Sequence, residues 1–292
     1  MVNCDTFIVE YDEKIPNIIS IYHIIVNSKK GSEKMYYETI KNDSSKEWIL
    51  FIHGLGGSIN TWKKQLNKFS EKFNLLLIDL DGHGKSEFIK QKLKYKSQDA
   101  CKQIKKILDK EKIKKINLMS MSLGTLVALE FTHMYPKRVK TNILAGCAIN
   151  LDKKRKFLLS IVQKIKKYLP TNFLYRTFAT ILLPKKNHKL SREIFIRESL
   201  KMKRQAFLDW ISNLDLSNGR LNKYIQSINK NNIPTLFVMG KEDIMFIKGI
   251  ENLKGKINDF KLQVINNCGH VCSIEKADIF NEISAKFYEQ YV

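Results

Sequence analysis

The segment that decides the fold is Lys115-Ile116-Asn117-Leu118-Met119-Ser120-Met121-Ser122-Leu123-Gly124-Thr125-Leu126-Val127-Ala128-Leu129. It predicts a short apolar strand, a turn of small residues and then a helix. Its centre, Ser120-x-Ser122-x-Gly124, is typical of a sharp strand-to-helix turn with Ser122 at the tip. Because backbone atoms crowd together in such a turn, the residues two before and two after the tip must be small. An ordinary turn in which Ser122 only caps the helix would show the same pattern, so the rest of the chain has to distinguish the two.

Length and composition indicate one globular domain with an insertion. The chain has 292 residues, of which 43% are hydrophobic and 10% aromatic, and this is enough to bury a large core. No apolar run reaches the roughly 20 residues that a spanning helix needs. The N-terminus lacks a basic region followed by an apolar stretch, so no secretory signal is expected and a cytoplasmic location is predicted.

The charge is strongly positive, with 51 basic and 29 acidic residues and a net charge of +22. Lysine dominates, and no basic motif with interleaved aromatic residues is present, so nucleic acid is not an expected partner. A positive field does attract anionic surfaces. A peripheral anionic membrane and an acidic carrier protein are therefore candidate partners. The oligomeric state is not indicated.

The cysteines and histidines do not predict a metal centre. The cysteine count is odd, which argues against a disulfide framework and fits reduced thiols. Cys268 and Cys272 are four residues apart, but no second pair lies at the spacing of a zinc site. We expect neither a metal nor a cofactor.

Apolar strands alternate with helices along most of the chain. Besides the strand and the helix on either side of the 120–124 turn, strands are predicted at 18–26, 35–40, 48–52, 73–78, 141–145, 234–240 and 261–265, and helices at 97–108 and 277–288. Continuous apolar strands separated by helices predict an α/β fold, with a mostly parallel β-sheet flanked by helices.

The alternation stops between residues 149 and 229, where the pattern is helical and charged. We therefore predict a core formed by 1–148 and 230–292, interrupted by a helical cap at 149–229. Within this cap, residues 152–169 are strongly amphipathic, with lysines opposite an apolar face. The apolar face could cover a site at the carboxyl ends of the strands. Alternatively, the basic helix could contact an anionic membrane.

Four groups of loop residues, each following a predicted strand, resemble those of the α/β-hydrolase fold family, in its serine esterase and lipase-like branch. They are His-Gly-Leu-Gly-Gly at 53–57, Asp-Leu-Asp-Gly-His-Gly-Lys-Ser at 79–86, Ser-Met-Ser-Leu-Gly at 120–124, and Gly-Lys-Glu-Asp at 240–243 together with Gly-His at 269–270. The order Ser, Asp, His along the chain is also that of the family. Two residues depart from it: Ser120 replaces the usual glycine, and Met121 replaces a frequent histidine.

The resemblance implies a catalytic triad. Ser122 would be the nucleophile, His270 the general base and Asp243 the acid that orients the histidine. The backbone N–H groups of Leu55 and Leu123 would form the oxyanion hole.

The acid is the member with alternatives, because Glu242 adjoins Asp243 and Asp152 follows an earlier strand. Among the other histidines, His83 is interpreted as bracing a turn, and His133 and His188 as surface residues.

The resemblance implies a cofactor-independent hydrolase that cleaves a carboxylic ester through an acyl-enzyme, with a small-molecule substrate that has an apolar or acyl portion. A serine at position 122 argues against the dehalogenase and epoxide-hydrolase branches, which use aspartate there. Two alternatives stay open. One is a thioesterase or acyl transferase acting on acyl-carrier substrates, and the other is a hydrolase fold used only for binding.

Overall fold

The computed structural model describes residues 26–28, 35–88, 97–150, 160–161, 164, 168–212 and 217–291. These residues form an eight-stranded sheet in the order β1-β2-β4-β3-β5-β6-β7-β8. The strands are β1 Val26–Ser28, β2 Tyr37–Ile40, β3 Trp48–Ile52, β4 Asn74–Ile78, β5 Ile116–Met121, β6 Val139–Ala145, β7 Thr235–Gly240 and β8 Phe260–Ile265. The β1–β2 and β2–β4 pairs are antiparallel, and all other pairs are parallel. The predicted fold class is confirmed.

Helices connect and flank these strands. They are α1 Lys63–Ser70, α2 Ser97–Lys110, α3 Leu123–Met134, α4 Thr171–Leu182, α5 Lys189–Ser199, α6 Arg204–Ser212, α7 Asn218–Asn231, α8 Ile247–Glu251, α9 Cys272–Glu275 and α10 Ala277–Tyr291. Short 3-10 helices occupy Ile59–Trp62, Pro136–Arg138 and Lys186–His188. None of the helices in the described ranges is long and apolar enough to cross a membrane.

The register of the central strands aligns their carboxyl ends. Ile52, the last residue of β3, lies opposite Ile78 of β4 and Ser120 of β5. Ser120 in turn lies opposite Leu144 of β6. The loops that begin at residues 53, 79 and 122 therefore leave the sheet along one edge, which is where open α/β sheets bind ligands.

The central strands are buried because helices cover them. The core contains an aromatic cluster in which Phe51 packs against Trp62 and Phe69, with ring centroids 5.3 and 6.4 Å apart. Tyr288 of α10 closes this cluster against Phe69 at 6.0 Å. Complete burial on the helix-covered side explains why these strands appear in the sequence as continuous apolar runs.

Helices α4 to α7 lie between β6 and β7; α4 to α6 fall inside the range 149–229 predicted as an insertion, and α7 ends two residues beyond it. The last of them, α7, packs against α3: its Arg220 and Tyr224 both bond the buried carboxylate of Glu130, with 2.8 Å contacts. This buried charge is stabilised because it has a cationic partner and a hydroxyl donor. Most of the predicted amphipathic helix at 152–169 lies outside the described residues.

At the N-terminus the described part of β1 covers Val26–Ser28, where we predict the end of a strand and the start of a turn. Asn27 pairs with Thr39 and Ser28 with Glu38, so the strand extends two residues into the predicted turn. Ladder hydrogen bonds outweigh the weak strand propensity of asparagine and serine there. The predicted strand residues 18–25 lie outside the described residues.

Candidate active site

Ser122 lies at the junction of β5 and α3 in a rarely populated backbone conformation, with φ 51° and ψ −118°. Its N–H donates to the Ala145 carbonyl at 2.9 Å, which fixes the turn to the end of β6. A side chain is strained at this φ, and such conformations persist only where the surroundings impose them. A Cβ at Gly124 would lie 2.3 Å from the Ile52 carbonyl oxygen, so only glycine fits two residues after the tip.

Ser120 fits the other tight position. It is fully buried, and its Oγ donates to the Ile143 carbonyl at 3.2 Å. The Ser120 hydroxyl, present where the family usually has glycine, is therefore accommodated because it forms a hydrogen bond from β5 to β6. Its side chain is committed to this bond, whereas the side chain of Ser122 is only half-buried.

His270 lies between Ser122 and Asp243. Its Nε2 is 2.8 Å from Ser122 Oγ, and its Nδ1 is 2.7 Å from Asp243 Oδ2. Because the carboxylate can only accept, Nδ1 carries the proton and Nε2 accepts the serine hydroxyl, an assignment made from the hydrogen-bond geometry. His270 and Asp243 are each 1% exposed, so the pair is shielded from water. The structure thus brings together the three side chains singled out in the sequence.

Of the alternative acids, Glu242 is described by the structure and does not bond His270. Glu242 points to a different set of partners, namely Lys185, Asn187 and His188. Asp152 lies outside the described residues. Within the described chain, Asp243 is the carboxylate bonded to His270.

Leu55 and Leu123, the predicted backbone donors, flank the serine. Leu123 is the first residue of α3, so its N–H is one of the groups that a helix leaves without an internal acceptor. Leu55 follows Gly54, where a Cβ would lie 3.1 Å from Ser122 Cβ. The Gly57 N–H donates to the Gly54 carbonyl at 3.0 Å and closes this loop into a turn.

The loop at Leu55 is supported by His53, whose role was not predicted. The Leu80 N–H donates to His53 Nε2 at 2.9 Å, so the ring accepts there and its Nδ1–H donates to the Gly54 carbonyl at 2.8 Å. This neutral tautomer fits a fully buried ring, since burial lowers the pKa of His53. The sequence signal for this role is a histidine that directly follows a buried strand.

Asp79 links the backbone just after the 53–57 loop to the 79–86 loop. It accepts the backbone N–H groups of Ile59 and Lys85, each at 2.7 Å. Burial raises the pKa of Asp79, and these two bonds counteract the shift. His83 lies nearby with its Nδ1 3.0 Å from the Asp81 carbonyl oxygen, as expected of a residue that braces a turn. Burial holds the pKa of His83 well below its usual value.

Helices α5 and α6, which lie between β6 and β7, contact the loops beside Ser122. A Cβ at Gly56 would lie 2.2 Å from Ser199 Oγ, so the end of α5 is seated against the 53–57 loop. On α6, the Trp210 indole N–H donates to the Asp81 carbonyl at 3.0 Å. A Cβ at Gly82 would lie 2.4 Å from Ala206 Cβ, so α6 approaches the 79–86 loop as closely.

The prediction that His188 is a surface residue is wrong. Its side chain is fully buried, and its Nε2 is 2.8 Å from Glu242 Oε2. The partner is distant in sequence, so helical spacing and local composition gave no sign of it. His133, predicted on the same grounds, is exposed on α3.

The thiols of the described region are unsuited to nucleophilic chemistry. Cys147 and Cys272 are fully buried, and burial raises the pKa of each to about 12. Across the described ranges, no group of three or more His, Cys, Asp or Glu side chains could hold a metal ion. The polar chemistry of this site therefore centres on Ser122 and His270.

Comparisons with known proteins agree with this architecture. The chain is 26% identical over 282 residues to a 2-hydroxy-6-oxononadienedioate/2-hydroxy-6-oxononatrienedioate hydrolase of Klebsiella pneumoniae, covering 90% of this chain and 94% of that protein. Among solved structures, it resembles the α/β hydrolase enzyme MGS-M2 from a deep-sea metagenome, with a TM-score of 0.74, 20% identity, and 87% and 94% of the two chains covered. It also resembles the enol-lactonase of Burkholderia xenovorans, with a TM-score of 0.72, 18% identity, and coverage of 87% and 96%.

Residues 47–277 match the sequence model of a family described as "alpha/beta hydrolase fold". That range contains every strand from β3 to β8 and the three residues Ser122, Asp243 and His270. The chain belongs to the α/β hydrolase fold family.

Proposed function

We propose that this protein is a serine hydrolase that cleaves a carboxylic ester through an acyl-enzyme on Ser122. The observation that carries the proposal is the continuous chain of hydrogen bonds from Ser122 Oγ to His270 Nε2, 2.8 Å, and from His270 Nδ1 to Asp243 Oδ2, 2.7 Å. A serine hydroxyl is a weak nucleophile without an adjacent base, and a neutral histidine held in the correct tautomer is such a base.

In the first half of the reaction, Ser122 Oγ attacks the ester carbonyl carbon while His270 Nε2 takes its proton. Asp243 stabilises the imidazolium that forms. The carbonyl oxygen becomes an oxyanion, which the N–H groups of Leu55 and Leu123 bind. Collapse of this intermediate breaks the bond to the alcohol oxygen, which leaves with the proton from His270.

In the second half, water attacks the acyl-enzyme and gives a proton to His270 Nε2. The second tetrahedral intermediate collapses, the bond to Ser122 Oγ breaks, and the proton returns to Oγ. A carboxylic acid is released, and the protein is restored without a metal or an electron carrier in any step.

A substrate with an apolar portion is favoured by the helices that contact the loops around Ser122. Aromatic rings on α4, α5 and α6 pack on one another, with Tyr175–Phe207 centroids 4.3 Å apart and Phe178–Phe195 centroids 6.4 Å apart. The same helices carry Ser199 and Ala206, which contact the two loops. The helices that contact these two loops are therefore held together by packed aromatic side chains.

The similarity to the Klebsiella hydrolase favours a second candidate, cleavage of a carbon–carbon bond beside a ketone. The substrate in the name of that relative has keto, enol and carboxylate groups and no ester. A serine–histidine pair with an oxyanion hole suits both reactions, since both pass through an oxyanion at a carbonyl carbon.

A substrate panel distinguishes these reactions. The purified chain is assayed with p-nitrophenyl esters of increasing acyl length, acyl-thioesters and a 2-hydroxy-6-keto-dienoic acid, and it is treated with a fluorophosphonate probe. We expect labelling of Ser122 and the highest kcat/KM with esters. Preference for thioesters would indicate the thioesterase alternative, and preference for the keto-acid would indicate carbon–carbon hydrolysis. No labelling and no turnover would contradict the proposal and favour a binding module.

A further inference from the structure

His188 ends the short 3-10 helix Lys186–His188, and its side chain is fully buried. It packs against the loops that follow β7 and β8, which carry Asp243 and His270. Its Nδ1 accepts the Lys185 backbone N–H at 3.3 Å, and its Nε2 is 2.8 Å from Glu242 Oε2. Since Nδ1 accepts, Nε2 carries the proton and donates to Glu242. The neutral ring satisfies both bonds.

On one side, the His188 ring bonds the loop that carries Asp243. Glu242, the residue before Asp243, also receives Lys185 Nζ at 2.7 Å and Asn187 Nδ2 at 2.9 Å. Three side chains within residues 185–188 thus converge on one carboxylate. The hydrogen bonds from Asn187 and Lys185 lower the pKa of Glu242 to about 2, which keeps it ionised.

On the other side, the same ring contacts the loop of the base. A Cβ at Gly269, the residue before His270, would lie 2.9 Å from His188 Cε1. Glu275 Oε2 lies 3.7 Å from His188 Nε2, and the Glu275 carboxylate accepts the N–H groups of Gly269 at 2.9 Å and Val271 at 3.1 Å. The backbone on both sides of His270 is therefore fixed by a carboxylate that faces His188.

The two loops are also bonded to each other, because the Glu242 N–H donates to the Cys268 carbonyl at 2.9 Å. His188 covers this junction. The residue before the acid and the residue before the base both contact one side chain of the insertion, which makes the 2.7 Å bond between Asp243 and His270 dependent on where residues 185–188 lie.

We infer that His188, through Glu242 and Gly269, is a positioning residue that aligns Asp243 with His270 and couples this alignment to the placement of the helical insertion. The inference rests on the proposed function, since it concerns the same acid and base. A displacement of about 1 Å at a reacting group can cost about a hundredfold in rate. A shift of residues 185–188 would therefore slow the reaction at Ser122, although these residues do not contact the substrate.

The test compares His188→Leu, Glu242→Gln, the double variant and His188→Gln, whose amide can donate to Glu242. The matched control is Glu111→Gln: its side chain is 6% exposed, like the 13% of Glu242, and it receives a lysine and a hydroxyl, from Lys41 and Tyr37. For each variant, the folded fraction, the rate of Ser122 labelling by a fluorophosphonate per folded molecule, and kcat and KM for a p-nitrophenyl ester are measured well below the melting temperature.

We expect His188→Leu and Glu242→Gln each to slow labelling about 10- to 100-fold, with kcat reduced and KM little changed. The double variant should be no slower than the slower single variant, because both changes disturb the same contact between His188 and Glu242. His188→Gln should recover most of the rate, and Glu111→Gln should keep it. Full labelling rates in His188→Leu and Glu242→Gln, together with reduced stability, would overturn the positioning role and leave the proposed function intact. An unlabelled parent protein would overturn both.

Discussion

Gly124 is packed against the backbone of Ile52 so closely that a Cβ on it would lie 2.3 Å from the Ile52 carbonyl oxygen and 2.6 Å from that of His53. The first turn of α3 therefore rests directly on the end of β3. This contact fixes Ser122 relative to the loop that carries Leu55, because that loop begins at His53. Direct backbone contact therefore helps to hold Ser122 beside the predicted oxyanion donors.

Gly124→Ala should consequently damage both stability and activity. The clash is with backbone atoms, which cannot move away as a flexible side chain would, and overpacking of this kind typically costs about 1–3 kcal/mol. We expect a lower denaturation midpoint in urea and slower labelling of Ser122. Gly219→Ala is a suitable control, because no atom lies within 4 Å of a Cβ at that position on α7. An active, fully stable Gly124→Ala protein would contradict the described contact.

Ser122→Ala should abolish acyl-enzyme formation and leave the fold intact, because it removes a single half-buried hydroxyl. We expect kcat for ester hydrolysis to fall by at least about 10³-fold, with residual catalysis from the oxyanion donors and binding. The measurement is steady-state turnover alongside circular dichroism. Undiminished turnover by the purified variant would remove Ser122 from the mechanism.

Asp243→Asn should lower turnover by about 10⁴-fold, by analogy with the serine-protease triad, because an amide favours the wrong histidine tautomer. The control is Asp152→Asn, which we expect to have little effect. The comparison is made on kcat/KM for one p-nitrophenyl ester across a pH series. If the two variants exchanged these effects, the acid would have to be assigned to the loop after β6.

Glu242 should make stability depend on pH in the acidic range. Its pKa is about 2 in the folded chain against an ordinary value of 4.5, so folding favours the ionised form. A depressed folded pKa adds stability above the unfolded value, and this is lost as pH falls through the folded one. In urea titrations, the difference in unfolding free energy between the parent and Glu242→Gln should therefore be constant above about pH 5 and shrink between pH 4.5 and 2. A difference independent of pH would contradict the ionised assignment.

The positive surface should bind anionic vesicles weakly and reversibly. With a net charge of +22, lysines near the lipid can each contribute about 1 kcal/mol at low salt, and screening removes this contribution. We expect co-sedimentation with anionic but not zwitterionic vesicles, and its loss at moderate salt. Binding that resists salt and is reduced by Phe157→Ser and Ile161→Ser would instead indicate insertion of the amphipathic 152–169 segment.

The sequence was informative where local pattern and strand geometry act together. Continuous apolar runs identified the central strands. Because the residues that follow parallel strands lie at the same edge of the sheet, Ser122, Asp243 and His270 could be expected to lie close together. Ser120 could be accommodated because the residue is small, although its bond to Ile143 could not be foreseen.

The long-range bonds that support the site were not predicted from the sequence. His53 directly follows β3 and His188 ends a short 3-10 helix, and their ring nitrogens bond groups that are 27 and 54 positions away. Such bonds depend on how the loops are stacked at the sheet edge, which neither hydrophobic periodicity nor turn chemistry specifies. Which acid pairs with His270 was open for the same reason, since Glu242, Asp243 and Asp152 all follow predicted strands.

Cys101, Cys147, Cys268 and Cys272 are buried, so their rates of alkylation would report local opening of the structure around each thiol. Burial raises the pKa of all four, so an alkylating reagent can reach a reactive thiolate only after the surrounding structure separates. Peptide mapping of alkylated protein would then show, site by site, how often the structure around each thiol opens. Loss of hydrolysis on treatment with such a reagent would track this opening, and inhibition by thiol reagents would not by itself implicate a cysteine in the chemistry.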